Sequence, residues 1–190
     1  MDMTENLNTS QSIELNSLYQ EVIVDHSRRP RFKSKNMQCR FCQEGKNPLC
    51  GDIITVFCQI EMKDSCPLLS IGFDGAGCSI SQASASIMCN SLQNVTLQEA
   101  QKTISHAENI YTGKIAVNAH DLDEDIEALN GVSKFPVRVK CAALPWKTLD
   151  LLLNDNFDKN GMPKSGCDKL ENCVKSSNNQ RKLKIVTTEF

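Results

Sequence analysis

Three of the ten cysteines sit where a thiolate is of more use than a core filler. Cys50 lies in Asn47-Pro48-Leu49-Cys50-Gly51-Asp52, a turn leading into a predicted strand. Cys78 follows Gly75-Ala76-Gly77 and opens a predicted helix, and Cys141 follows Lys140 and is read as immediately preceding another. Helix N-termini present unpaired N–H groups and partial positive charge, which favour the thiolate over the thiol. The thiolate is the form that binds metal and attacks sulfur. Gly51 and Gly77 carry no Cβ, so the backbone can come close to such a site. Spacing alone does not join the three, which lie far apart in the chain, unlike the local pairs of a zinc finger. Two readings therefore stand at this point: a shared thiolate site, or Cys78 and Cys141 as buried structural thiols.

The elements that must position these residues are legible in part. Apolar residues at Ile13, Leu15, Leu18, Tyr19, Val22 and Ile23 form a helical stripe that runs to about His26 and stops before Pro30. His26 would end that helix, where a cation is favourable. Residues 31–49 read as a loop containing Cys39-Arg40-Phe41-Cys42. Ile54, Val56, Cys58, Ile60 and Met62 alternate with more polar neighbours, as do Leu69, Ile71 and Phe73 after a turn through Lys63–Pro67. These predict an antiparallel hairpin. A buried helix follows Cys78, and residues 97–130 read as mainly helical and acidic. Phe135 to Cys141 reads as a short extended segment, and Leu144–Leu153 as an apolar helix with Pro145 in its first turn. The expected class is α+β, a small antiparallel sheet with helices packed on one side. The expected organisation is a disordered N-terminus at 1–12, one domain over 13–153 and a polar, flexible tail over 154–190.

Net charge of −2 and the lack of a basic run leave no footprint for nucleic acid. No apolar run approaches the roughly 20 residues that span a bilayer. The acidic, polar start Met1-Asp2-Met3-Thr4-Glu5-Asn6 resembles neither a secretory signal nor a transit peptide, so the expected location is cytoplasmic. In a reducing compartment, clustered thiols point to metal or thiol chemistry rather than to a disulfide framework. Cys58 and Cys89 are expected in the core.

Four stretches resemble the NifU/IscU-like iron–sulfur assembly family. They are Leu18–His26 followed by Arg29-Pro30-Arg31, Asn47–Asp52, Gly75–Ser84, and Phe135-Pro136-Val137-Arg138-Val139-Lys140-Cys141-Ala142-Ala143-Leu144-Pro145-Trp146-Lys147. The resemblance spans roughly 15–153, in the family's order. Within it the chain is similar to the SufU-type branch. Lys140 stands where scaffold members carry His before the last cysteine, and a protonated lysine has no lone pair for a metal. The segment between Cys78 and Cys141 is also longer, with the extra portion around His106 to Glu127, and Gly131–Pro136 is SufU-like.

The resemblance implies a metal site of Cys50, Asp52, Cys78 and Cys141, with zinc as the metal. It implies a zinc-dependent sulfurtransferase in which Cys50 accepts persulfide sulfur from a SufS-type, PLP-dependent cysteine desulfurase. Delivery to downstream iron–sulfur assembly proteins would follow. Arg138 is a candidate to hold Asp52 or a persulfide anion. The alternative implied function is a scaffold carrying an iron–sulfur cluster on the same residues. Cys39 and Cys42, with Cys66 or with Cys167 and Cys173, are candidates for a second metal site or a redox pair. His106 and His120 are ligand candidates in principle only.

Overall fold

The computed structural model describes residues 17–34, 39–64, 66–115, 123–158, 161–164 and 186–187. The described elements, in chain order, begin with helix α1 (17–28), strands β1 (Phe41–Asn47), β2 (Asp52–Lys63) and β3 (Cys66–Ala76), and helices α2 (Ser79–Ser91) and α3 (Leu97–Tyr111). A short helix α4 (Glu124–Glu127) runs into a 3-10 turn at Ala128–Val132, followed by α5 (Pro136–Asn156) and β4 (Val186–Thr187).

The predicted hairpin is present, with Val56 opposite Phe73 and Cys58 opposite Ile71. Alternation along β2 turns Ile54, Val56 and Cys58 inward, where all are fully buried. Helices α2 and α5 cover that face, and Cys89 and Trp146 are buried between the layers. The result is the expected α+β arrangement of a small sheet with helices on one side, its strands in the order β3-β2-β1-β4.

Three elements differ from expectation. The stretch read as a loop over 31–49 contains β1, which pairs antiparallel with β2 from Phe41↔Cys58 to Asn47↔Asp52. Its residues Gln43, Glu44, Gly45 and Lys46 are poor strand formers, and pairing with β2 overrides their preference. The segment read as extended before Cys141 is the start of α5. Pro136, with its fixed φ and no N–H to satisfy, sits in the first turn. Cys141 therefore stands in the second turn of a helix, and Pro145 lies inside it. Finally, α5 continues to Asn156, past the expected domain boundary at 153. Two residues of the expected tail, Val186 and Thr187, pair in parallel with Gly45 and Lys46. The expected disordered N-terminus at 1–12, and Cys167 and Cys173, lie outside the described residues.

His26 is not an exposed cation at a helix end. It is 1% exposed, with Nδ1 2.9 Å from Ser86 Oγ and Nε2 3.0 Å from an Asp125 carboxylate oxygen. Because the Arg31 N–H already donates to Ser86 Oγ, the hydroxyl proton is free to go to Nδ1, which leaves the ring proton on Nε2 facing Asp125. Burial lowers its pKa, with Arg31 adding to the effect and Asp125 and Asp25 opposing it.

Candidate metal centre

Cys50 and Asp52 come from the turn between β1 and β2. The backbone carbonyl of Asn47 accepts the N–H of Cys50 (3.3 Å) and of Gly51 (2.8 Å), and Gly51 closes the turn at φ +72. A Cβ on Gly51 would meet nothing within 4 Å, so glycine serves the left-handed backbone there and not close approach. Gly77 is the opposite case: its Cβ would stand 2.8 Å from Asp52 Oδ1 and 2.5 Å from Ser81 Oγ. That absence lets the backbone N–H of Cys78 reach Asp52 Oδ1 at 2.8 Å.

Cys78 caps α2, and its sulfur accepts the N–H of Ser81 at 3.4 Å. Cys141 is brought in by α5, which lies along the inward face of β1. Gly45 packs against Leu144 and Thr148, and two residues further on Asn47 meets Cys141. Ser84 ties the helices together, donating to the Ala142 carbonyl at 2.7 Å and accepting from Trp146 Nε1 at 3.0 Å.

The ligand atoms of Cys50, Asp52 and Cys141 all lie within 4.8 Å of one another, and the sulfurs of Cys50 and Cys141 are 3.4 Å apart. The Cys78 sulfur is not one of the atoms that lie within 4.8 Å of one another. The neighbouring Cys141 thiol and the Ser81 donors lower the Cys78 pKa to about 6 against the opposing effect of burial. Cys141 moves the other way, its pKa raised by the neighbouring Cys78, by burial and by Cys50 and Asp52 nearby.

This donor set fits a cation. Asp52 is 1% exposed, and its Oδ2 is buried with no hydrogen-bond partner among the described residues. An orphaned carboxylate oxygen in a protein interior costs several kcal/mol unless something positive meets it. Among the described residues no lysine or arginine forms an ion pair with Asp52. Three thiols and one carboxylate match the ligand chemistry of a four-coordinate zinc site.

Arg138 lies one turn before Cys141, exposed, with its guanidinium 4.5 Å above the Phe135 ring. The expected contact with Asp52 is not made, because the segment is helical and Arg138 is carried outward. His106 lies on α3, away from these loops, and His120 is outside the described residues. Cys39 is a buried, reduced thiol, whereas Cys42 is disulfide-bonded, so the two are not paired with each other. Two contributors were not foreseen from sequence: the side chain of Asn47, whose Asn-Pro context signals only a turn, and Ser81, whose backbone N–H donates to the Cys78 sulfur.

The NifU-like N-terminal domain matches residues 18–142, which include all four of these side chains. The chain belongs to the NifU-like family. This NifU-like chain is 40% identical over 137 residues to the zinc-dependent sulfurtransferase SufU of Bacillus subtilis, covering 72% of this chain and 89% of that protein. It is 34% identical over 139 residues to the iron–sulfur cluster assembly scaffold protein IscU of Thermotoga maritima, covering 70% and 89%. Among solved structures it resembles a candidate SUF-system scaffold, a SufU of Fervidobacterium islandicum AW-1, with TM-score 0.56 and 34% identity over 70% of this chain and 93% of that one. A NifU-like N-terminal structure from Brucella abortus shares the fold at TM-score 0.59 and 15% identity, covering 72% and 92%. No helix among the described residues is long and apolar enough to cross a membrane.

Proposed function

We propose that this NifU-like chain takes part in iron–sulfur cluster biogenesis as a zinc-dependent sulfurtransferase, with Cys50 accepting sulfur from the persulfide of a PLP-dependent cysteine desulfurase. The observation that carries the reading is Asp52, whose buried Oδ2 lies beside two thiols and has neither a hydrogen-bond partner nor a counter-charge among the described residues. Cys50, Asp52, Cys78 and Cys141 would hold the metal, and zinc, when bound, keeps its thiolates deprotonated and guards them from oxidation.

The protein's own residues supply the rest. Cys50 is the exposed thiol of the set, while Cys78 is half-buried and Cys141 buried, so an incoming persulfide meets Cys50 first. The Cys50 thiolate attacks the terminal sulfur of the donor persulfide. A sulfur–sulfur bond forms at Cys50, the donor's sulfur–sulfur bond breaks, and the donor cysteine leaves as a thiolate. Arg138, exposed one turn ahead of Cys141, would be confined to steering that anionic sulfur.

Identity to IscU scaffolds favours a second reading, a cluster assembled on the same residues. Metal and sulfide analysis of protein purified without oxygen separates the two. About one zinc per chain without sulfide, lost in Asp52→Ala, together with sulfur acceptance abolished in Cys50→Ser, is the expected result. Iron with acid-labile sulfide would transfer the assignment to scaffolding.

A further inference from the structure

We propose that Asn47 is a positioning residue for the Cys141 sulfur. Its side-chain N–H holds that thiolate as the fixed ligand of the site and so leaves Cys50 as the sulfur free to react. The inference rests on the metal reading above and assigns within it which sulfur stays and which is exchanged.

The three sulfurs are not equivalent in what they receive. Cys141 accepts a hydrogen bond from Asn47 Nδ2 at 3.4 Å, across 94 residues of sequence. Cys78 accepts one from the backbone N–H of Ser81. Among the described residues no N–H donates to the sulfur of Cys50, which accepts from the Cys141 thiol at 3.4 Å. An N–H directed at a thiolate stabilises its charge and withdraws electron density, which makes that sulfur the poorer nucleophile. Cys141 and Cys78 are quieted in this way, and Cys50 is not.

Asn47 is built to hold this position. It is 1% exposed, at the end of β1, and its Oδ1 accepts the N–H of Leu49 at 3.2 Å. Its backbone carbonyl accepts from Cys50 and Gly51. One buried residue thus shapes the loop that carries the reactive sulfur and, through the other half of its amide, reaches the sulfur on α5. Partners one step removed from a metal typically alter affinity by roughly 10- to 100-fold when changed.

Asn47→Asp is the discriminating variant, because it keeps an oxygen for the Leu49 N–H and puts a carboxylate oxygen in place of the donor to sulfur. With Co2+ substituted in the full chain, the expected result is a sulfur-to-cobalt band shifted to longer wavelength relative to wild type. Zinc affinity by chelator competition should fall roughly 10- to 100-fold. A cobalt spectrum and zinc affinity equal to wild type would overturn the proposal and leave Asn47 as a turn residue. A measurement on the unmodified sequence covers the case in which the variant does not fold. In the 113Cd2+ form, the Asn47 side-chain amide proton should show scalar coupling to cadmium through the sulfur. Coupling to the Ser81 amide without any to Asn47 would overturn the proposal. Failure of the wild type itself to take up zinc, cobalt or cadmium would remove the metal reading and this one with it.

Discussion

At the scale of single residues, the site depends on an atom that is absent. Gly77 has ordinary backbone torsions, so alanine would fit the chain there, but not the space. The added carbon would press on Asp52 from 2.8 Å at Oδ1 and 3.0 Å at Cβ. Asp52 is buried, at 1% exposed, and its Oδ1 is held by the Cys78 N–H. Gly77→Ala is therefore expected to fold and to lose zinc affinity by about tenfold or more, as outer contacts of metal ligands do. Chelator competition measures this. Unchanged affinity would mean that Asp52 moves freely and is not held as a ligand needs to be. Gly51→Ala should differ in kind, because its strain is in the backbone at φ +72 and no neighbour is touched.

At the scale of elements, the position of Cys141 is set by how close α5 lies to β1. A Cβ on Gly45 would stand 2.0 Å from Thr148 Oγ1, so the strand and helix touch through a glycine. Gly45→Ala forces the helix outward and is expected to destabilise the fold by about 1–3 kcal/mol, the usual cost of overpacking. Thr148→Ala removes the opposing atom. The double variant should recover most of that loss, and urea unfolding of the four proteins gives the coupling directly. Additive effects would show that the two residues do not meet.

This contact also explains what sequence could reveal. The β2–β3 hairpin was legible because Ile54, Val56, Cys58 and their partners alternate cleanly, and α2 because Cys78 caps a long run of small apolar residues. Strand β1 was not, since Gln43-Glu44-Gly45-Lys46 has the composition of a loop and becomes a strand only by pairing with β2. Phe135 to Cys141 reads as extended from sequence, but Pro136 in the first turn and the packing of α5 decide for helix. The cysteine loops and Asp52 could be named from residue type and from resemblance to a family. Asn47's reach to Cys141 could not, because it depends on the register between a strand and a helix far apart in sequence.

At the scale of the whole molecule, His26 binds three separate parts together: α1, α2 through Ser86, and α4 through Asp125. Burial and Arg31 favour its neutral form in the folded state, and Asp125 and Asp25 counter them without reversing the shift. The unfolded chain carries an ordinary imidazole with a pKa near 6.5. The folded value lies lower, so the unfolded chain binds more protons in the window between the two. His26 therefore contributes its stability in full above about pH 6.5, and that contribution is lost as pH falls through the folded value. Urea unfolding between pH 7.5 and 5 should show wild type losing more stability than His26→Gln. Parallel curves for the two proteins would show that the histidine is not held neutral.

The pairing of Val186 and Thr187 with Gly45 and Lys46 has a consequence for solubility. Without it, β1 would be a bare sheet margin offering unused N–H and C=O groups to any extended chain nearby, including another copy of itself. Val186 and Thr187 thus cover Gly45 and Lys46 against pairing with another chain. Shortening the protein at the end of α5 would open that stretch of the strand that ends in Asn47.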